Sequence, residues 1–81
     1  MWTVYVLKSQ SNSRSYTGST DNFERRLQEH NSGKSKYTRS TRPFILAYKE
    51  EYQTRLEARR RELFLKTGKG RGFLKKKLMD P

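Results

Sequence analysis

Two side chains interrupt an apolar stripe in the segment STDNFERRLQEHNSG, residues 19–33. Asp21 with Glu24 reads as a capping box and Gly33 as a left-handed stop, which predicts one short helix between them. Phe23 and Leu27 stand four apart and define its buried face. Arg26 and His30 fall on the same stripe, at i+3 and i+7 from Phe23. A guanidinium and an imidazole set beside apolar side chains are costly unless something anionic meets them. The ordinary alternative is that Arg26 snorkels to the rim and His30 hydrogen-bonds to backbone, and the helix taken alone favours it.

Three further positions could join them. Tyr5 and Tyr16 lie in consecutive predicted strands and can project from one face if the pairing register allows; each taken singly is an ordinary strand aromatic. Gly18, two residues beyond Tyr16, permits unusual backbone or the close approach of a ligand. Glu62 is ambiguous. At 100° per residue it falls near Ala58 and Leu65, while Leu56, Leu63 and Phe64 gather on the other side, so periodicity leaves its direction open. A solvated glutamate among Arg59 to Arg61 is the plain reading of that segment.

The elements that must carry these residues follow in order. Residues 2–7, WTVYVL, are β-branched and aromatic with apolar groups on both faces, as expected of an interior strand. After a polar loop, residues 8–14, the segment SYTGS (15–19) returns as a second, antiparallel strand. The central helix leads into a basic loop, residues 34–42, punctuated by Pro43. Residues 44–51, FILAYKEE, read as a third strand that is apolar on both sides. Thr54 with Glu57 is a second capping box, opening a helix through about Lys66. The segment TGKGRG (67–72) breaks it, and residues 73–78 add a last, lysine-rich helical turn. Strands apolar all round need cover on both faces, which predicts an α/β fold: a small three-stranded sheet sandwiched between helices.

Composition sets the partner. Nineteen Lys and Arg against eight Asp and Glu give +11 on 81 residues. Such a field suits a polyanion, nucleic acid first and an acidic membrane surface second. The chain has no cysteine and one histidine, which excludes disulfides, thiolate metal sites and multi-histidine zinc sites. No apolar run is long enough to span a bilayer. The first ten residues lack the basic lead and small-residue cleavage site of a secretion signal, so a single domain over 1–81 with a cytoplasmic location is expected.

Taken together, Tyr5 in Val4-Tyr5-Val6, Tyr16-Thr17-Gly18, Arg26 and His30 in ERRLQEHNSG, and Glu62 in EARRRELFLK resemble the GIY-YIG nuclease module. The likeness covers nearly the whole chain, including KYTRSTRPF, and is closest to the small stand-alone bacterial members. Thr17 stands for the isoleucine of the second motif, and neither residue before Tyr5 is the Gly or Ile of the first. Some members place a supporting asparagine near the end of the module, and residues 68–81 contain none.

The resemblance implies a three-stranded antiparallel sheet between helices and hydrolysis of a phosphodiester with a single divalent metal, Mg²⁺ or Mn²⁺. It implies catalytic roles for Tyr5, Tyr16, Arg26, His30 and Glu62. Arg26 would fork onto the scissile phosphate and Glu62 would be the metal ligand, one carboxylate sufficing when water and substrate complete the shell. The tyrosines would orient the attacking water, and one would accept its proton. A phenol near pKa 10 is a poor base, so Arg26, His30 or the metal must assist. Around this site Lys34, Lys36, Arg39 and Arg42 either hold flanking phosphates, with Tyr37 stacking on a base, or form a solvated loop. Lys75, Lys76 and Lys77 read as nonspecific backbone contacts.

No helix is made for reading the major groove, so the expected function is a metal-dependent DNA endonuclease of little intrinsic sequence specificity. Substrate structure or a protein partner would set its target. Two other readings compete: a basic module that binds nucleic acid without cutting it, and an adaptor that meets a ribosome or membrane surface by charge alone.

Overall fold

The computed structural model describes residues 1–11, 14–34 and 42–79. Its central element is the strand β1 (Trp2–Ser9), flanked by β2 (Ser15–Thr20) and β3 (Phe44–Tyr52) in an antiparallel sheet of order β2-β1-β3. Helix α1 (Phe23–Ser32) lies on one face, and α2 (Arg55–Leu65) with α3 (Gly68–Met79) on the other. The expected α/β sandwich is the architecture observed.

The apolar character of both faces of β1 follows from this placement. Val4 and Val6 point to one side and join Ala58, Leu65 and Leu74 in a buried cluster with α2 and α3. Tyr5 and Leu7 point to the other side and join Phe44, with Phe23 and Leu27 of α1 packed against them. Each fully buried Val or Leu contributes about 1.5–3 kcal/mol of transfer free energy, so β1 anchors both layers at once. The third strand departs from expectation. Ile45 and Leu46 are 47% and 37% exposed, because β3 is an edge and the register against β1 shifts between Val6 and Leu7. Apolar sequence on both sides of β3 is therefore not matched by cover on both sides.

The helix ends show local chemistry at work, with one correction. The α1 cap is Asn22, whose side chain accepts from the Arg25 N–H at 3.1 Å. The expected Asp21–Glu24 box does not form. The Thr20 hydroxyl at the end of β2 accepts from the Asn22 N–H at 3.1 Å, and this fixes the turn one residue later. Gly33 ends α1 at φ 84°, the left-handed cap expected of it. Thr54 caps α2 by accepting from the Glu57 N–H, also as expected. Asn31 ties the end of α1 to the start of β3, donating to the Phe44 carbonyl and accepting from the Phe44 N–H at 2.6 Å.

The C-terminal glycines correct the sequence reading as well. The break after α2 is confined to Lys66 and Thr67, and α3 begins at Gly68. Gly70 sits inside α3 where the helix crosses α2: a β-carbon there would stand 2.0 Å from the Phe64 carbonyl oxygen. This glycine lets two helices touch and does not break one.

Candidate active site

The site is built across an edge of the sheet. Residues directly opposite on paired strands share a face, and Tyr5 pairs with Gly18 while Val4 pairs with Ser19. Tyr5 therefore lies over Gly18 on the α1 side, and Ser19 faces α2. A β-carbon on Gly18 would meet the Tyr5 hydroxyl at 2.7 Å, so the residue is small for space. Its φ is not left-handed; Gly33 alone is, among the described glycines. Over that gap the Tyr5 hydroxyl reaches the outer edge of β2, where Tyr16, two residues from Gly18, stands with its ring centroid 6.3 Å from that of Tyr5.

Arg26 and His30 reach the tyrosines from α1. His30 is fully buried, with its Nε2 3.3 Å from the Tyr5 hydroxyl and its ring 4.7 Å from that of Tyr16. Burial and the nearby Arg26 charge hold its pKa below the usual 6.5, so the imidazole is neutral at pH 7. Burial also pushes the Tyr5 phenol up to about 12 against the pull of Arg26. Arg26 is partly buried, which opposes its charge, but the Tyr5 and Tyr16 hydroxyls and Glu29 outweigh that cost. Glu29, one turn along α1, holds Nη1 of Arg26 at 3.1 Å.

Glu62 answers the question left open by periodicity. It is 4% exposed and lies on the inner face of α2 with Ala58 and Leu65, while Leu56 and Leu63 point to solvent. Oε1 accepts from the Ser19 hydroxyl at 2.6 Å. Oε2 accepts from Lys66 Nζ at 2.6 Å and from Arg59 Nη1 at 3.0 Å. Burial works against ionisation, but Lys66, Ser19 and Arg59 overcome it and hold the carboxyl below its ordinary value of 4.5. It is an anion at neutral pH.

Tyr5, Tyr16, Arg26 and Glu62 line one cleft of about 400 Å³ that opens past Gly18 and Ser19. His30 does not line it and stands behind Tyr5 and Tyr16, touching both. Lys34, exposed beyond the end of α1, lies by a separate hollow with Arg25 and Glu29. Arg42, Lys75, Lys76 and Lys77 are exposed away from the cleft lining. Lys36, Tyr37 and Arg39 lie outside the described residues.

Several residues that line the cleft, or pair with its charged groups, escape the sequence reading. Arg59 and Lys66 stand three before and four after Glu62, a helical spacing that could have signalled their ion pairs. Glu29 likewise stands three beyond Arg26. Trp2 and Arg55 also line the cleft, and nothing local in the sequence marks them. Arg61 turns away from it. Its guanidinium grips Glu50 with two hydrogen bonds, 2.8 and 3.1 Å, between the rings of Phe64 and Phe73.

Fold and cleft define a small α/β protein that gathers phenols, a guanidinium and an ionised carboxylate at one sheet edge. A family model, the GIY-YIG catalytic domain, matches residues 1–77, and the chain belongs to this family. It is 48% identical over 65 residues to a UPF0213 protein of Staphylococcus haemolyticus, covering 79% of this chain and 78% of that one. It is 43% identical over 67 residues to a UPF0213 protein of Desulfotalea psychrophila, covering 80% of this chain but only 60% of that longer protein. The solution NMR structure of a UPF0213 protein from Bacillus halodurans superposes with a TM-score of 0.54 at 35% identity, over 91% of this chain and 82% of the other. The family supports a nuclease-type hydrolase acting on nucleic acid. Among the described residues no helix is long and apolar enough to cross a membrane.

Proposed function

We propose that this protein is a metal-dependent endonuclease that hydrolyses DNA phosphodiester bonds with little intrinsic sequence specificity. The observation that carries the reading is the ionised, nearly buried Glu62 facing Arg26, Tyr5 and Tyr16 across one cleft. Binding a phosphate needs cations; an inward carboxylate among them opposes it unless a divalent ion is to be held there.

The donor set fits such an ion. No cluster of three or more His, Cys, Asp or Glu exists among the described residues, and the cleft lining offers one hard carboxylate, Glu62. Mg²⁺ is commonly held by one or two carboxylates, with waters and substrate phosphate completing the shell. Glu62 would hold the ion, which supplies Lewis-acid stabilisation of charge on the phosphoryl oxygens.

The other groups divide the remaining work. Arg26, fixed from behind by Glu29, offers its fork to the scissile phosphate. Tyr5, with its pKa near 12, is too weak an acid to work as a free phenolate. Neutral His30 relieves that difficulty: as the Tyr5 oxygen takes a proton from the attacking water, Tyr5 can pass its own to Nε2. Tyr16 orients the water or the phosphate from the open side of the cleft.

Glu62→Ala should leave DNA binding near normal and abolish Mg²⁺-dependent nicking of supercoiled plasmid, with EDTA abolishing wild-type nicking. Nicking that survives the substitution in a clean preparation removes the metal role from Glu62. One observation favours the second reading, a basic module that holds phosphate without cutting: Ser19, Arg59 and Lys66 already engage both oxygens of Glu62. On that reading no nicking occurs with any divalent ion, while binding persists.

A further inference from the structure

Helix α2 presents a row of side chains to the cleft that the proposed hydrolysis does not use in full. Glu62, Arg59 and Arg55 are spaced by three and four residues, which places them on one helical face. All three line the cleft. At its outer end the Arg55 guanidinium stands 5.7 Å from the centroid of the Trp2 ring. Trp2 packs part of its indole against the Val4–Leu65 cluster and, half-buried, also lines the cleft. Arg55 and Glu62 stand seven positions apart on the helix, about 10 Å along the axis.

Charge alone does not require a tryptophan here. A phosphate-binding wall is served by Arg55 and Arg59, and an indole adds only an apolar π-face beside them. That pairing of a planar guanidinium with an aromatic ring is the surface on which nucleobases stack, whatever their sequence. Resting on the nuclease reading above, we infer that Trp2 and Arg55 form a stacking platform for one nucleobase of the substrate strand. The distance from Glu62 means that this base belongs to a nucleotide beside the reacting phosphate, not to the phosphate itself. Arg59 lies between the two and spans the intervening backbone. The platform is a specificity-determining subsite: it selects base-bearing strand over bare phosphodiester chain and sets where along the strand the scissile bond falls.

Trp2 is the chain's one tryptophan, so its emission reports this subsite directly. The full-length protein is titrated, in EDTA, with a fluorescent oligothymidylate and with an abasic phosphodiester chain of equal length and charge. Trp2 emission is followed beside the anisotropy of the labelled strand. Quenching by the oligothymidylate alone is expected, with affinity about tenfold above that for the abasic chain. Trp2→Leu and Arg55→Gln should each bring the two affinities together, and Trp2→Phe should largely keep the gap. Arg55 is exposed, so Arg55→Gln carries the test even if Trp2→Leu fails to fold.

Equal affinity for both chains, or unchanged emission at saturation with oligothymidylate, overturns the platform. Plasmid nicking in Mg²⁺ is measured alongside. Quenching without nicking keeps the platform and removes the nuclease reading. Nicking without quenching removes the platform alone.

Discussion

Gly18 lies directly opposite Tyr5 in the β1–β2 ladder, and the Tyr5 hydroxyl occupies the space where a β-carbon on Gly18 would be, 2.7 Å away. The absence of a side chain on an edge strand is what lets a phenol rooted in the core reach the cleft. Tyr5 cannot easily retreat, because Phe23 and His30 pack against it and the residue is 1% exposed.

Gly18→Ala should therefore act on the site more than on the fold. A displacement of Tyr5 by about 1 Å is expected to cost about 10²-fold in nicking rate. DNA affinity should stay within about twofold. Single-turnover nicking and strand-binding titrations check this; a wild-type rate would mean that the Tyr5 position does not matter to the chemistry.

The glycines of α3 should separate sharply. Gly70→Ala forces a β-carbon against the Phe64 carbonyl and the Leu65 backbone, and overpacking of this kind costs about 1–3 kcal/mol or more. Gly72, also inside α3, has nothing within 4 Å of its would-be β-carbon. Gly72→Ala is expected to stabilise by up to about 1 kcal/mol through helix propensity. Urea midpoints of the two variants decide the matter, and a stabilised Gly70→Ala would contradict the close α2–α3 crossing.

The Glu50–Arg61 cluster should make stability fall in acid. Glu50 accepts from Tyr48, from Tyr52 at 2.7 Å and twice from Arg61. Burial opposes its charge, but Arg61, Tyr48 and Tyr52 hold its carboxyl below the ordinary 4.5. Below that value the unfolded chain binds the proton that the native state refuses. The contribution is thus fully present above the unfolded pKa and is lost as pH falls through the native one. Thermal midpoints of the wild type should drop steeply below about pH 4.5, and Glu50→Gln should flatten that part of the profile. Tyr52, raised to about 12 by burial and Glu50, sets the opposite limit: its contribution holds below its ordinary 10 and is lost as pH rises through about 12.

Lys75, Lys76 and Lys77 stand exposed on α3, away from the cleft. Their joint replacement by Gln should weaken DNA binding without changing the nicking rate of bound substrate. The log–log salt slope should shallow by up to about 0.9 for each duplex phosphate that the lysines no longer neutralise. An unchanged slope would locate the DNA-binding surface on other faces.

The features legible in the chain alone were local or periodic. Thr54 and Gly33 could be read because a cap acts within four residues of itself. The interior position of β1 could be read because both its faces are apolar. The order of Tyr5, Tyr16, Gly18, Arg26, His30 and Glu62 carried the family resemblance that the family match then bore out.

The other outcomes belong to the folded chain, because they depend on what a distant element places nearby. The inward turn of Glu62 is set by Ser19 and by the sheet against which α2 packs, not by the weak amphipathicity of α2. Asn22 displaced Asp21 as the cap because Thr20 fixed the preceding turn. Gly70, read locally as a breaker, is retained in a helix because a neighbouring helix needs its missing side chain. The wall of Trp2 and Arg55 joins the first strand to the start of α2, fifty-three positions apart, a distance that no periodicity in the chain can report.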